Sequence, residues 1–214
     1  MRHRIRRAAD FERADRLEVF ELEIDLGRRI VDAQANQRRA DGRARVASRS
    51  LERAQAFAAE MTQRYSFPIE PVATVEEAVR GADLIVTATT AAEPIIQRDW
   101  IAPGTHINAV GSSIPTTREL DTATVAAARL FVDRRESTLN EAGDYLFAMR
   151  EGAIGPDHIR AEVGELLLGT HAGRTSPDEI TLFKSLGLAV EDLAAADYVY
   201  RKAQAGDAGT WVEF

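Results

Sequence analysis

From residue 44 onward, strand-like and helix-like segments alternate at the spacing of a parallel, doubly wound sheet. The glycine-rich turn with which such a sheet holds a phosphate is missing from the residues before it. The first strand, Ala-Arg-Val-Ala-Ser at 44–48, runs into Arg49-Ser50 and a helix. In a dinucleotide-binding sheet this is the second strand, at whose end the adenosine ribose is read. A strand, a G-x-G-x-x-G turn and a helix belong ahead of it, yet residues 1–43 contain only Gly27 and Gly42. The expected fold class is therefore α/β, a Rossmann-like doubly wound parallel sheet. It is incomplete on its amino-terminal side and followed by a carboxy-terminal helical segment.

Composition narrows the chemistry. At 214 residues with 45% hydrophobic content, the chain can bury a core. It has no cysteine, so disulfides, thiolate metal sites and cysteine nucleophiles are excluded. The four histidines, His3, His106, His158 and His171, show no metal-ligand spacing, and no metal is expected. No apolar run approaches the roughly 20 residues of a membrane helix, and the basic start leads into no apolar segment. No membrane partner and a cytoplasmic location are the expectations. Residues 1–50 hold 13 arginines against nine acids, whereas the remainder holds 14 basic residues against 25 acidic ones. An acidic body argues against nucleic acid as a partner. The basic start could be a nucleic-acid arm, but its interleaved acids favour a solvated segment.

Residues 9–41 are polar, with a weak helical stripe, although Leu22, Ile24 and Leu26 alternate as in a strand. Ser50 caps an expected helix to about residue 65, with Leu51, Ala54, Phe57, Ala58 and Met61 on one face. Strands follow at 69–72, 84–89, 104–111 and 130–133. A capping box, Thr74-Val75-Glu76-Glu77, opens a short helix that ends at Gly81. Residues 121–128 read as helix, 136–170 as mostly helix and 180–183 as strand. A long helix runs from 188 to about 205, with a stripe including Val190 and Leu193. The strands near 44–48, 69–73, 83–89, 104–110 and 129–133 are expected in one parallel sheet.

Ligands of such sheets sit at the carboxyl ends of the strands. Arg49 stands where a 2′-phosphate would lie, and a guanidinium there favours NADP; the alternative is an ordinary solvated arginine. Thr87 and Thr89 either line a cofactor or are β-branched residues favoured in a strand. Asn108 either bonds a carboxamide or ribose, or is a buried amide satisfied by its neighbours. Glu141 and Asp144, three apart on an expected helix, could be paired acids, but a solvated face or cap is the better reading. His106 reads as structural. No Ser-His-Asp order or carboxylate pair demands a hydrolase.

Longer stretches carry a family likeness. Residues 76–87 (Glu-Glu-Ala-Val-Arg-Gly-Ala-Asp-Leu-Ile-Val-Thr), Glu93-Pro94-Ile95 and 103–111 (Pro-Gly-Thr-His-Ile-Asn-Ala-Val-Gly) resemble the ornithine cyclodeaminase/mu-crystallin family. So do Arg118-Glu119-Leu120-Asp121, Glu141-Ala142-Gly143-Asp144, residues 161–165 (Ala-Glu-Val-Gly-Glu) and 183–192 (Phe-Lys-Ser-Leu-Gly-Leu-Ala-Val-Glu-Asp). The resemblance covers about residues 44–205. It implies a homodimeric enzyme with a nucleotide domain and a separate substrate and dimer domain. Such enzymes bind NAD(H) or NADP(H) and act on a small amino or cyclic imino acid. Carried over by position, Ser48, Arg49 and Ser50 meet the adenosine end, with NADP(H) preferred and NAD(H) possible. Thr87, Ala88 and Thr89 line the nucleotide, with Asn108 beside them. Val110 and Gly111 approach the nicotinamide, and Ser185, Leu186 and Gly187 close over it.

Two departures qualify the resemblance. Ser113 stands at the substrate-proximal position where cyclodeaminases and alanine dehydrogenases of the family carry an aspartate, so ornithine cyclodeamination is not expected. The mu-crystallin and imine-reductase branch also lacks an acid there. Residues 1–43 are expected to match nothing in the family, and neither its glycine-rich loop nor its amino-terminal substrate region is present. The resulting division is a polar arm at 1–43 and a partial dinucleotide-binding domain at 44–170. A strand and helix at 171–214 then return toward a substrate and dimer domain. The leading expectation is an NADP-preferring oxidoreductase of a small amino or imino acid, shortened or frame-shifted upstream and impaired as it stands. A non-catalytic binding protein of the mu-crystallin type is the alternative, and a damaged chain without function is a third.

Overall fold

The computed structural model describes residues 43–65, 67–206 and 208–209. The expected amino-terminal arm lies outside the described residues, apart from residue 43. The described residues divide into two compact units, one running to Leu186 and the other starting at Gly187.

The larger unit opens with strand β1 (Ala44–Val46), helix α1 (Leu51–Tyr65) and strand β2 (Ile69–Pro71). Ser50 starts α1 by accepting a bond from the Arg53 amide at 3.4 Å. Glu52 in the first turn and Arg64 in the last complement the helix dipole. The small, buried Ala54 and Ala58, four residues apart, let α1 lie close on β2. Helix α2 (Val75–Val79) has the expected capping box: the Glu77 amide donates to Thr74 Oγ1 at 3.1 Å, and the Thr74 amide to Glu77 Oε2 at 3.2 Å. Gly81, at φ +68°, turns the chain into β3. Arg45 of β1 donates to the carbonyls of Glu77 and Arg80 at 2.5 and 2.7 Å, fastening β1 to the end of α2.

The remaining elements are β3 (Leu84–Thr87), β4 (His106–Ala109), α3 (Thr122–Ala127), β5 (Arg129–Val132), α4 (Arg135–Glu141), α5 (Gly143–Arg150), β6 (Ile159–Glu162), α6 (Val163–Leu167) and β7 (Thr181–Lys184). Every strand pair is parallel, as expected of this fold class. Two expectations need correction. The strands do not form one sheet: β1 and β2 make a separate pair, and the other five run in the order β3-β4-β7-β5-β6. Among the described residues no strand joins β1 to β3. Residues 136–170 also contain β6, whose Ile-Arg-Ala-Glu alternation marks a half-buried edge strand. β7, expected in a carboxy-terminal segment beyond residue 170, is the middle strand of the larger sheet.

The registers define two faces. Ile85, Thr87, Ile107, Ala109, Leu182, Lys184, Leu130 and Val132 share one. Its apolar members form the core with Val79, Ile96, Ile101, Leu120, Val125 and Tyr145. On the opposite face, at the β3 edge, Leu84 and Val86 are 49% and 60% exposed. In the smaller unit, helix α7 (Ala189–Ala205) exposes Val190 and Leu193.

This asymmetry gives a stability test by urea denaturation. Ile107→Ala, in the covered face, is expected to cost about 2–5 kcal/mol. Val86→Ser is expected to change stability by less than ~0.5 kcal/mol and to reduce self-association in light scattering. A loss for Val86→Ser as large as that for Ile107→Ala would show that this face is covered.

Candidate functional site

Because neighbouring strands are parallel, the carboxyl ends of β3, β4 and β7 lie side by side. They bring together Thr87, Ala88 and Thr89, then Val110, Gly111 and Ser113, then Ser185 and Leu186. Ser48, Arg49 and Ser50 lie at the carboxyl end of β1, on the separate strand pair, and all three are exposed. Gly187, at φ +80°, opens the other compact unit.

The three loops are fixed by buried carboxylates. Glu119, fully buried, accepts the Thr87 hydroxyl at 2.7 Å and the Thr89 amide at 2.6 Å. Asp144, also buried, accepts the amides of Glu119 and Leu120 at 2.8 and 2.9 Å through Oδ1. Its Oδ2 lies 3.2 Å from Lys184 Nζ, and both side chains are almost completely buried. Lys184 Nζ in turn donates to the Gly111 carbonyl at 2.5 Å. Asp133, at the end of β5, accepts the Leu186 amide at 2.5 Å and the Arg134 amide at 2.7 Å. Burial pushes the Asp144 carboxyl above its ordinary range, while Lys184 and the two amides oppose that rise.

The turn after β4 is pressed against the end of β3. The amides of Gly111 and Ser112 donate to the carbonyls of Thr87 and Thr89 at 3.2 and 3.1 Å. A side chain at Gly111 would come within 2.2 Å of the Thr89 carbonyl oxygen and 2.5 Å of Glu119 Oε1. The chain's own packing thus demands glycine there. Ser112 takes φ +49° and donates its hydroxyl to the Ala91 carbonyl at 2.6 Å. What remains open to a ligand is a platform of Ala88, Thr89, Val110 and Ser113, all exposed.

Asn108, half-buried, has its side-chain oxygen engaged by a neighbouring residue of its own strand. Its Oδ1 lies 3.0 Å from His106 Nε2, while His106 Nδ1 lies 2.7 Å from Thr181 Oγ1. Arg174 donates to the same Thr181 oxygen at 2.9 Å. The order that satisfies every group is Arg174 to Thr181, Thr181 to His106 and His106 to Asn108, with His106 neutral. Desolvation lowers its pKa to about 4. Glu141 and Asp144 are not paired acids: Glu141 is exposed, and Ala142 ends one helix and begins the next. Sequence reasoning assigned no role to Lys184, Glu119 or Asp133. The one available signal was a lysine set among apolar strand residues, in a chain with only two lysines. Among the described residues, no cluster of acids and histidines could hold a metal, and no helix is long and apolar enough to cross a membrane.

The model of the ornithine cyclodeaminase/mu-crystallin family matches residues 32–207. The chain belongs to that family. The match starts at residue 32, which corrects the expectation that nothing before 44 has a family counterpart. A Delta(1)-pyrroline-2-carboxylate reductase of Bacillus cereus is 40% identical over 78% of the chain and 51% of the relative. Ketimine reductase mu-crystallin of Mus musculus is 43% identical over 76% of the chain and 48% of the relative. A solved structure, Delta(1)-pyrroline-2-carboxylate reductase of Thermococcus litoralis with NADH and L-proline, superposes with a TM-score of 0.75. It is 43% identical, over 78% of this chain and 52% of that one. The chain spans about half the length of the curated relatives it matches.

The His106 chain generates a pH prediction. Its folded pKa is below the unfolded 6.5, so the unfolded state takes the proton first as pH falls. The stability held by neutral His106 is fully present above pH 6.5 and declines toward pH 4. The loss is roughly 3 kcal/mol for a shift of this size. Urea denaturation at pH 7 and 4.5 should show a smaller acid loss for His106→Gln than for the wild type. Identical losses would remove His106 from the acid limb.

Proposed function

We propose that the carboxyl ends of β3, β4 and β7 receive the nicotinamide end of a dinucleotide, in a protein that reduces a small cyclic imino acid. The observation that carries this reading is the platform of Ala88, Thr89, Val110 and Ser113. Three adjacent parallel strands hold it open, in a chain 40% and 43% identical to two imino-acid reductases. The residues fit such a cofactor: the buried clamps hold the β4 turn close against β3, leaving Val110 as a flat apolar rest. The nicotinamide supplies the hydride. The chain's own residues orient it, and Ser113, a neutral hydroxyl, stands on the substrate side. The absence of an acid at Ser113 favours imine reduction over deamination of ornithine.

Arg49, exposed at the carboxyl end of β1, would meet a 2′-phosphate, so the preferred cofactor in this reading is NADP(H). In this reading the protein assembles as a homodimer. Residues 1–43 offer no glycine-rich turn whose amides could hold the pyrophosphate. The 214-residue chain is therefore proposed to bind nucleotide weakly and to be impaired in turnover.

Fluorescence titration of NADPH and NADH, with an assay of Δ1-pyrroline-2-carboxylate reduction, tests these statements separately. Weak saturable binding of NADPH without turnover is expected. Micromolar affinity with steady turnover would overturn the impairment, and no binding of either nucleotide would overturn the cofactor site. Arg49→Asp should weaken NADPH by roughly 1–3 kcal/mol, the range for hydrogen bonds to charged groups, and leave NADH unchanged. Equal losses for both would reject the 2′-phosphate assignment.

A further inference from the structure

The buried ammonium of Lys184 is out of proportion to ordinary packing. It sits on the covered face of the sheet, at a position in register with Ala109 and Val132. An apolar side chain of similar length would fill the same space without the desolvation that two buried charges incur. Lys184 also needs Asp144 as its counter-charge, 40 residues earlier on the first turn of α5. What the ammonium does that a hydrocarbon could not is donate to the carbonyl of Gly111.

That carbonyl belongs to the Gly111–Ser112 peptide, and Ser112 is at positive φ, which a serine adopts only at a cost. Rotating this one peptide through half a turn would carry Ser112 to a negative φ, the side on which residues other than glycine ordinarily lie. Gly111, with no side chain, would put up little resistance. The same rotation would take the Ser112 amide away from the Thr89 carbonyl and the Gly111 oxygen away from Lys184. At Ser112 the observed orientation is thus the one that carries the φ penalty, and Lys184 donates to the Gly111 oxygen only in that orientation.

We propose that Lys184, charge-matched by Asp144, is a positioning residue that locks the Gly111–Ser112 peptide, and through it sets the turn presenting Val110 and Ser113. The lock is a property of the chain itself, whereas its consequence for a nucleotide rests on the function proposed above. The aliphatic stem of Lys184 contributes packing; its charge contributes direction.

The test uses the full 214-residue chain. Lys184→Met alone leaves Asp144 with an uncompensated buried charge and is expected to unfold readily. Lys184→Met with Asp144→Asn removes both charges and keeps an oxygen for the amides of Glu119 and Leu120. In this double variant the Ser112 amide should exchange with solvent about tenfold faster, the size expected for losing one charge-assisted hydrogen bond. The amides of Ile107 and Leu182 should stay as protected as in the wild type. Adding Ser112→Gly, which removes the penalty on positive φ, should restore protection at residue 112. A folded double variant with unchanged Ser112 exchange, or a triple variant with no recovery, overturns the lock. A second measurement needs no variant. In the wild type the Lys184 ammonium protons should be visible by NMR, slowed in exchange by burial, with a coupling across the hydrogen bond to the Gly111 carbonyl carbon; absence of that coupling also overturns the lock. NADPH titration of the double variant should show weaker binding than the wild type. If the wild type binds no nucleotide, the cofactor reading fails while the exchange experiment still decides the lock.

Discussion

Parallel pairing sends every strand of the sheet toward the same end and leaves the backbone amides of several loops there without ladder partners. The structure depends on how those amides are satisfied. Three buried carboxylates, Glu119, Asp133 and Asp144, accept five of them, at Thr89, Arg134, Leu186, Glu119 and Leu120. Apart from the Asp133 bond to its neighbour Arg134, each reaches its loop from another part of the chain, so one β3 loop, one β4 loop and the β7 exit are cross-braced. A buried carboxylate is stable in such a place because amide hydrogen bonds replace its hydration. Lys184 adds the complementary device, a buried cation that meets both a carboxylate and a carbonyl. The result is a rigid rim around an otherwise small, exposed platform.

The elements were legible where local chemistry decides them. Thr74 and Glu77 form the capping box their spacing announced, and Gly81 takes the positive φ that ends the turn. The apolar runs of β3, β4 and β5 read as parallel strands, although β3 buries only one of its faces and leaves Leu84 and Val86 exposed. Pairing partners were not legible, because they are set by contacts distant in sequence. β7 is hydrogen-bonded between β4 and β5, more than 40 residues before it in the chain. The site shows the same division. The carboxyl ends of β3 and β4 could be read from the strand pattern, but Lys184 and Asp144 are 40 residues apart and no periodicity links them. Helical spacing suggested a partnership between Glu141 and Asp144. The backbone breaks between them because Gly143 is pressed against the 114–117 loop, where a side chain would come within 1.8 Å of the Thr117 carbonyl oxygen. Asp144 is thereby turned inward and Glu141 left in solvent.

The family likeness was legible from motifs, and its extent was underestimated at one end. Residues 32–43 carry no glycine fingerprint and few apolar residues, so nothing in them stood out against a polar background. The family model matches them all the same. That difference has a physical side. A glycine at a phosphate turn is demanded by backbone geometry, whereas polar positions under no such demand accept many residues.

The two faces of the sheet are stabilised by different means, and the site depends on only one of them. Thr87 and Lys184, which anchor Glu119 and Gly111, lie on the covered face with Ile85, Ile107 and Leu182. The opposite face carries the Arg174–Thr181–His106–Asn108 chain toward its middle and bare Leu84 and Val86 at the β3 edge. A polar chain in that position satisfies its own groups but buries little apolar surface, and the β3 edge buries less still. The clamps on the carboxyl-end loops thus draw on the well-packed side. Whatever covers Leu84 and Val86 can change the stability and self-association of the protein. It cannot replace or displace Lys184, Asp144 or Glu119, because those groups are already buried on the far side of the sheet. The rim of the site is consequently built by this chain's own covered face.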